Sequence, residues 1–325
     1  MKKLVLNNAL FLMIVCSASA ALAMGGIKGR PYCETKYPIM LVHGALGWGT
    51  LSGVVDYWYQ IPKGLEACGA TVRVAVVPAL NSSEERGEAL LEQVEDFLAE
   101  TGKSKVHLIG HSHGSLAVRY AAYVRPDLVA SVTTIAGCHQ GIPQEVIDRL
   151  MRPGPEWLDD MIARRFNTIG VLISVLQGVA YEQDAKAVIE ELDNGAALFN
   201  AKYPSAGVPP TQWGEGAHSE IVDGHEILYY SWIGNNEGMT NCFDVLDYPL
   251  VLVARPLYEW CGAGDVKTDG LVPIYSAHFG NVLCDTYNWN HADEVNLLFG
   301  LRSPFSANPV QVFRTHANRL QQAGL

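Results

Sequence analysis

The apolar residues of this chain fall into short unbroken runs, separated by stretches in which they recur every three or four positions. YPIMLVHG (37–44), ATVRVAVVP (70–78), KVHLI (105–109) and SVTTIAG (131–137) are runs of the first kind. Such runs predict strands buried on both faces. Between the second and third, residues 83–100 place Leu90, Val94, Phe97 and Leu98 at helical spacing behind serines suited to an N-terminal cap. SLAVRYAAYVR (115–125) reads as a further helix. Strand and helix alternate, which predicts an α/β fold with a mostly parallel sheet covered on both faces. No repeat, low-complexity tract or linker interrupts the pattern, so one domain over residues 24–325 is expected.

The pattern breaks over residues 141–200, where PEWLDDMIARRF is followed by the strongly apolar NTIGVLISVLQGVAY. That segment is shorter than the ~18–20 apolar residues of a membrane span. It predicts either a buried core helix or a lid over a pocket, at about residues 141–180. A lid's apolar face would cover the site in water and meet lipid when open.

The first residues read as a targeting signal. MKK is a basic start, NNALFLMIV an apolar core, and Ala21-Leu22-Ala23 a small-residue cleavage site, so residues 1–23 are expected to be removed and the protein secreted. Val15 before Cys16 is too bulky for a lipoprotein site. The chain holds 23 Lys+Arg and 34 Asp+Glu, a net −11; losing Lys2 and Lys3 with the signal leaves 21 minus 34, or −13. An acidic surface of this kind argues against nucleic-acid partners. Cys33, Cys68, Cys138, Cys242, Cys261 and Cys284 remain. In an oxidising compartment some could pair. Cys242 with Cys261 is the expected bridge, because the two bracket one hydrophobic loop, while others serve as small buried residues.

Candidate chemistry centres on GHSHG (110–114), a G-x-S-x-G sequence set between the KVHLI strand and the 115–125 helix. That context is the one a nucleophile elbow requires, with Ser112 at the tip of a sharp turn. A serine hydroxyl needs a histidine to take its proton and an acid to orient that histidine, in the order Ser, Asp/Glu, His for such a fold. Asp269, in DGLVP before a short apolar run, suits the acid; Asp265 is its rival. For the histidine, His291 in NWNHADEVNLLFG lies in a loop turning into a helix, with His278 and His316 as alternatives. His278 reads as structural and His316 as a satisfied surface residue of a C-terminal helix. The N–H groups of His113 and of Ala45, in HGALGWG (43–49), are the expected oxyanion donors. The same loop lacks G-x-G-x-x-G spacing, and Glu66 does not end a strand, which excludes a dinucleotide site. His225-Glu226 has no second histidine in place and no C-x-x-C occurs, which excludes the common zinc motifs.

YPIMLVHG, VDYWYQIP, RGEALLEQVEDF, GHSHGSLAVRYAAYVRPDLVASVTTIAG, FNAKYP, GEGA, TDGLV, NHADEVN and FRTHANRL occur in order over roughly residues 36–320. Together they resemble the Pseudomonas-type family of secreted bacterial triacylglycerol lipases. The resemblance implies an α/β-hydrolase fold, a triad of Ser112, Asp269 and His291, an oxyanion hole at Ala45 and His113, and a lid within 141–180. It also implies a structural Ca²⁺ held by Asp244 and Asp293 and the carbonyls of Leu297 and Leu301, since hard oxygen ligands suit that ion. Trp213 and Tyr275 stand where many such proteins carry a disulfide, and residues 245–265 depart from the family pattern. A folding chaperone and action as a monomer at an oil–water interface are further expectations. The function so implied is lipid ester hydrolysis through an acyl-enzyme. A short-chain esterase, a phospholipase, a polyester depolymerase and a non-catalytic binding protein of the same fold are the alternatives.

Overall fold

Each apolar run of the first half of the chain forms a strand, fully buried except at Val72–Ala75, which lies at the sheet edge and is half-buried. The computed structural model describes residues 30–151, 156–192, 196–238 and 254–325. The expected signal segment 1–23, Cys242 and Asp244 lie outside these residues. The first elements are β1 (Ile39–Val42), a small hairpin of β2 (Thr50–Leu51) and β3 (Val55–Asp56), and helix α1 (Ile61–Glu66). The alternation continues with β4 (Val72–Ala75), α2 (Ser83–Thr101), β5 (Val106–His111), α3 (Gly114–Val124) and β6 (Val129–Ile135). Helices then accumulate as α4 (Gln144–Met151), α5 (Glu156–Leu176), α6 (Ala185–Glu190) and α7 (Ala196–Lys202). The chain returns to the sheet with β7 (Ser219–Val222) and β8 (His225–Gly234). It finishes with α8 (Ala254–Trp260), α9 (Ile274–Ala277), β9 (Asn281–Tyr287), α10 (Leu297–Gly300) and α11 (Pro309–Gln322).

The sheet runs β4-β1-β5-β6-β8, every neighbouring pair parallel. The long β8 offers its far edge to two strands: β7 pairs antiparallel with its first half, and β9 parallel with its second. Successive residues of a strand point to opposite faces, and β1 shows the result. Met40 and Val42 pack with Leu90, Val94 and Phe97 of α2, whereas Ile39 and Leu41 pack with Ile61 of α1 and Phe313 of α11. Burial on both faces explains why the strands lack polar alternation, and each such side chain contributes about 1.5–3 kcal/mol. The spacing Leu90, Val94, Phe97, Leu98 is the buried stripe of α2. Ser82 caps that helix by accepting from the Glu85 N–H at 3.2 Å, and left-handed Gly102 ends it.

Two expectations are overturned. The disulfide joins Cys33 to Cys68, and Cys261 keeps a free thiol that meets the Glu145 carbonyl. Strand-flanking segments far apart in sequence supply that bridge, with the Cys33 N–H also donating to the Cys68 carbonyl at 2.8 Å. His316 is not a surface residue. It faces the sheet from α11, buried between Tyr230 and Trp232, with Nε2 2.8 Å from Thr133 Oγ1. Among the described residues, no helix is long and apolar enough to cross a membrane. The apolar segment after residue 166 forms the second half of α5. It turns Leu172 and Val175 outward, 56 % and 65 % exposed, while Ala163 and Phe166 of the first half face inward.

Candidate active site

The turn from β5 to α3 is built by close approach. A Cβ on Gly110 would lie 2.5 Å from the Gly114 carbonyl oxygen, and one on Gly114 would lie 2.5 Å from that of His43. Both flanking glycines are therefore dictated by neighbouring backbone. The left-handed conformation falls on Ser112 itself, at φ 54°. Strain of that kind persists only where the surroundings hold it, and here the Ser112 N–H is tied to the Ile135 carbonyl at 2.8 Å. The β1 loop crosses directly over this turn, because a Cβ on Gly44 would come 2.8 Å from Ser112 Cβ.

Asp269 and His291 meet from two separate loops. Asp269 is fully buried, and its Oδ2 lies 2.7 Å from His291 Nδ1. Its Oδ1 accepts from the N–H groups of Leu271 and Val272 at 2.9 and 2.7 Å, so both oxygens are engaged. The loops are also stapled through backbone, since the His291 N–H donates to the Asp269 carbonyl at 2.9 Å. An ionised carboxylate can only accept. The proton of a neutral His291 therefore sits on Nδ1, and Nε2 keeps its lone pair. Ser112, His291, Ala45 and His113 all line one cavity of about 490 Å³, whose other walls are mostly apolar, including Leu80, Phe166 and Val188.

The alternatives fall elsewhere. His278 pairs with Asp285 at 3.1 Å, meets Trp213 edge to face, and is not among the residues lining this cavity. Trp213 also meets Tyr275 edge to face, with ring centroids 5.6 Å apart. Asp293 is buried in the short turn Asp293–Val295, two residues beyond His291. Leu297 lines the cavity and Leu301 follows α10.

Several polar groups around the cavity have no local signal in the sequence. His111 stands with its ring 4.6 Å from that of His291, and its Nδ1 is 2.7 Å from the Tyr57 hydroxyl. Its Nε2 faces Glu294 at 3.3 Å, and Glu294 also accepts from the Gly234 N–H. Burial, then the charge of Asp269, pushes the Glu294 carboxyl well above the usual range, and burial pulls His111 well below its own. Both are therefore neutral. Arg86, fully buried, reaches His113 and the 43–44 carbonyls; burial lowers its guanidinium to about 10. A trace of Arg86 was available, because it sits four residues before Leu90 on the buried stripe of α2.

A profile of the α/β-hydrolase fold family matches residues 37–284. The triacylglycerol lipase of Vibrio cholerae is 43 % identical over 98 % of this chain and 100 % of that protein. That of Burkholderia plantarii is 36 % identical over 94 % and 91 %. Among solved structures, Staphylococcus hyicus lipase covers 92 % of this chain and 99 % of its own, with a TM-score of 0.59 at 16 % identity, a likeness of fold. The chain thus belongs to the α/β-hydrolase family of bacterial triacylglycerol lipases and is a serine ester hydrolase.

Proposed function

We propose that the protein is exported and hydrolyses water-insoluble lipid esters through Ser112, His291 and Asp269. The observation that carries this reading is the 2.7 Å Asp269–His291 pair opening onto the same apolar cavity as a strained Ser112. His291 Nε2 takes the Ser112 proton as Oγ attacks the ester carbonyl. The N–H groups of Ala45 and His113 receive the negative charge that develops on the carbonyl oxygen. His291 returns the proton to the leaving alcohol, and an acyl-Ser112 ester remains. Water, deprotonated by the same nitrogen, then releases the fatty acid. Asp269 holds the imidazole in the required tautomer and stabilises its charged form.

The outward apolar residues of α5 support a role as lid and contact with lipid. The end of this helix is fastened beside the β1 loop, where the Gly49 N–H donates to Gln177 Oε1 at 2.6 Å and the Ser52 N–H to the Leu176 carbonyl at 3.0 Å. Calcium is part of the same proposal. Asp293 offers a buried carboxylate, a hard oxygen donor of the type Ca²⁺ prefers, and the Leu297 and Leu301 carbonyls would join it. The ion would supply fixed positive charge that steadies the loop carrying His291.

The test is a series of esters of rising chain length, each assayed below and above its solubility limit, on wild type and Ser112→Ala. Wild type should favour long chains once droplets form, and Ser112→Ala should retain no more than a trace. Full activity on monomeric short esters with no rise at the solubility limit would make it an esterase of the same fold.

A further inference from the structure

The His113 side chain is held by a chain of groups that begins at Glu191, between the cavity-lining residues Ile189 and Leu192. Arg86 Nη1 lies 2.6 Å from His113 Nδ1. A guanidinium only donates, so Nδ1 accepts and the ring proton sits on Nε2. That proton is given to Glu191 Oε2, 2.8 Å away. Glu191 also accepts from the Ser83 N–H at 2.9 and 3.0 Å and from Ser83 Oγ at 2.6 Å. On the other side, Arg86 Nη2 donates to the His43 and Gly44 carbonyls at 2.6 and 3.1 Å. The line from Glu191 through His113 and Arg86 thus ends on the peptide links that precede Ala45.

The two segments joined in this way are the two whose N–H groups are assigned to the oxyanion. Arg86 is a buried cation, and Glu191 is the carboxylate that faces it across one imidazole. Glu191 directly follows α6, whose Val188 and Ile189 line the cavity. We propose that Glu191 is a positioning residue for the oxyanion hole, holding His113 and, through Arg86, the 43–45 loop in mutual register. The inference rests on the hydrolase reading above. Oxyanion donors act where charge develops in the transition state, so a loosened pair lowers kcat far more than it raises KM.

The experiment uses the mature protein, a soluble short-chain p-nitrophenyl ester, and active sites titrated with a phosphonate. Glu191→Ala should lower kcat per titrated site roughly 10- to 100-fold with KM within about threefold. Affinity for a trifluoromethyl ketone, which forms a tetrahedral adduct on Ser112, should fall in parallel with kcat/KM. Glu191→Gln keeps an oxygen to accept from His113 Nε2 and from Ser83, and should recover most of the loss. If Glu191→Ala does not fold, Glu191→Asp, which withdraws the carboxylate by one methylene, takes its place with the same expectation. Unchanged kcat per site with only a lower Tm, or equal losses in the Ala and Gln variants, overturns the proposal. Activity of wild type against Ser112→Ala tests the underlying reading independently of every Glu191 outcome.

Discussion

Lowering the pH from about 7 to about 5 should destabilise this protein through its buried histidines, and His107 isolates the effect. His107 lies in β5 with no exposed surface, its Nδ1 on Ser131 Oγ at 2.8 Å and its Nε2 without a partner. Burial pulls it from 6.5 to about 3. A histidine whose folded pKa is depressed binds its proton more readily when unfolded. Stability therefore falls as the pH drops below 6.5, and goes on falling until about 3. Over the window from about pH 7 to about pH 5 the loss integrates to ~2 kcal/mol for one such group. His43, pulled to about 3 by burial and then by the Arg86 charge, adds a similar amount. Glu294 works in the opposite sense, because its raised carboxyl favours the folded state at low pH and ceases to do so as the pH climbs through its folded value. The total slope therefore mixes signs, but a difference between variants does not. Urea unfolding of wild type and His107→Gln at both pH values is the assay. The variant should start less stable at the upper pH, yet lose ~2 kcal/mol less than wild type on acidification. Parallel losses in the two proteins would show that His107 is not held neutral by burial.

Replacing both Cys33 and Cys68 by Ala opens a loop with a sequence separation of 35, which should cost about 4 kcal/mol by loop entropy and remove any response of the urea midpoint to reductant; an unchanged midpoint would deny the bridge a stabilising role. His291→Ala should lower kcat on the order of 10⁴-fold, while His278→Ala, outside the cavity, should cost less than about tenfold; steady-state kinetics on one soluble ester separates them, and a comparable loss at His278 would refute the assignment. A chelator should lower both Tm and activity, with Ca²⁺ restoring them and Mg²⁺ doing so poorly. Asp293→Asn should be insensitive to chelator, and identical melts with no calcium in the untreated sample would leave Asp293 as a structural carboxylate.

What was legible in the sequence depended on range. The β5–Ser112–α3 turn is local: five residues, two glycines forced by contacts within or beside the turn, and apolar flanks. The strands were visible because a parallel sheet covered on both faces leaves no polar alternation. Asp269 and His291 were reachable from loop context and chain order, although nothing local said that their loops would be joined through backbone. Glu191 was invisible, since its meaning comes from His113, 78 residues earlier. His316 misled for the same reason. A polar residue in a helical pattern reads as exposed until Thr133, 183 residues away, supplies its partner and the aromatic rings of β8 enclose it. The cysteine pairing failed because hydrophobic bracketing says nothing of which Cα atoms come close.

The approach of Gly44, Gly110 and Gly114 to their neighbours divides the cavity into a half that tolerates change and a half that does not. At Gly44, Gly110 and Gly114 no methyl group fits without moving backbone or Ser112 itself. Across the cavity, Phe166, Val188, Ile189 and Leu192 stand on a separate run of helices and turn that adds no strand to the sheet. Substitutions there can reshape the space for an acyl chain without touching the elbow. Libraries aimed at altered substrate preference should therefore accumulate functional members on the α5–α6 side and almost none at the three glycines, and a natural lineage could change its diet of esters by the same route.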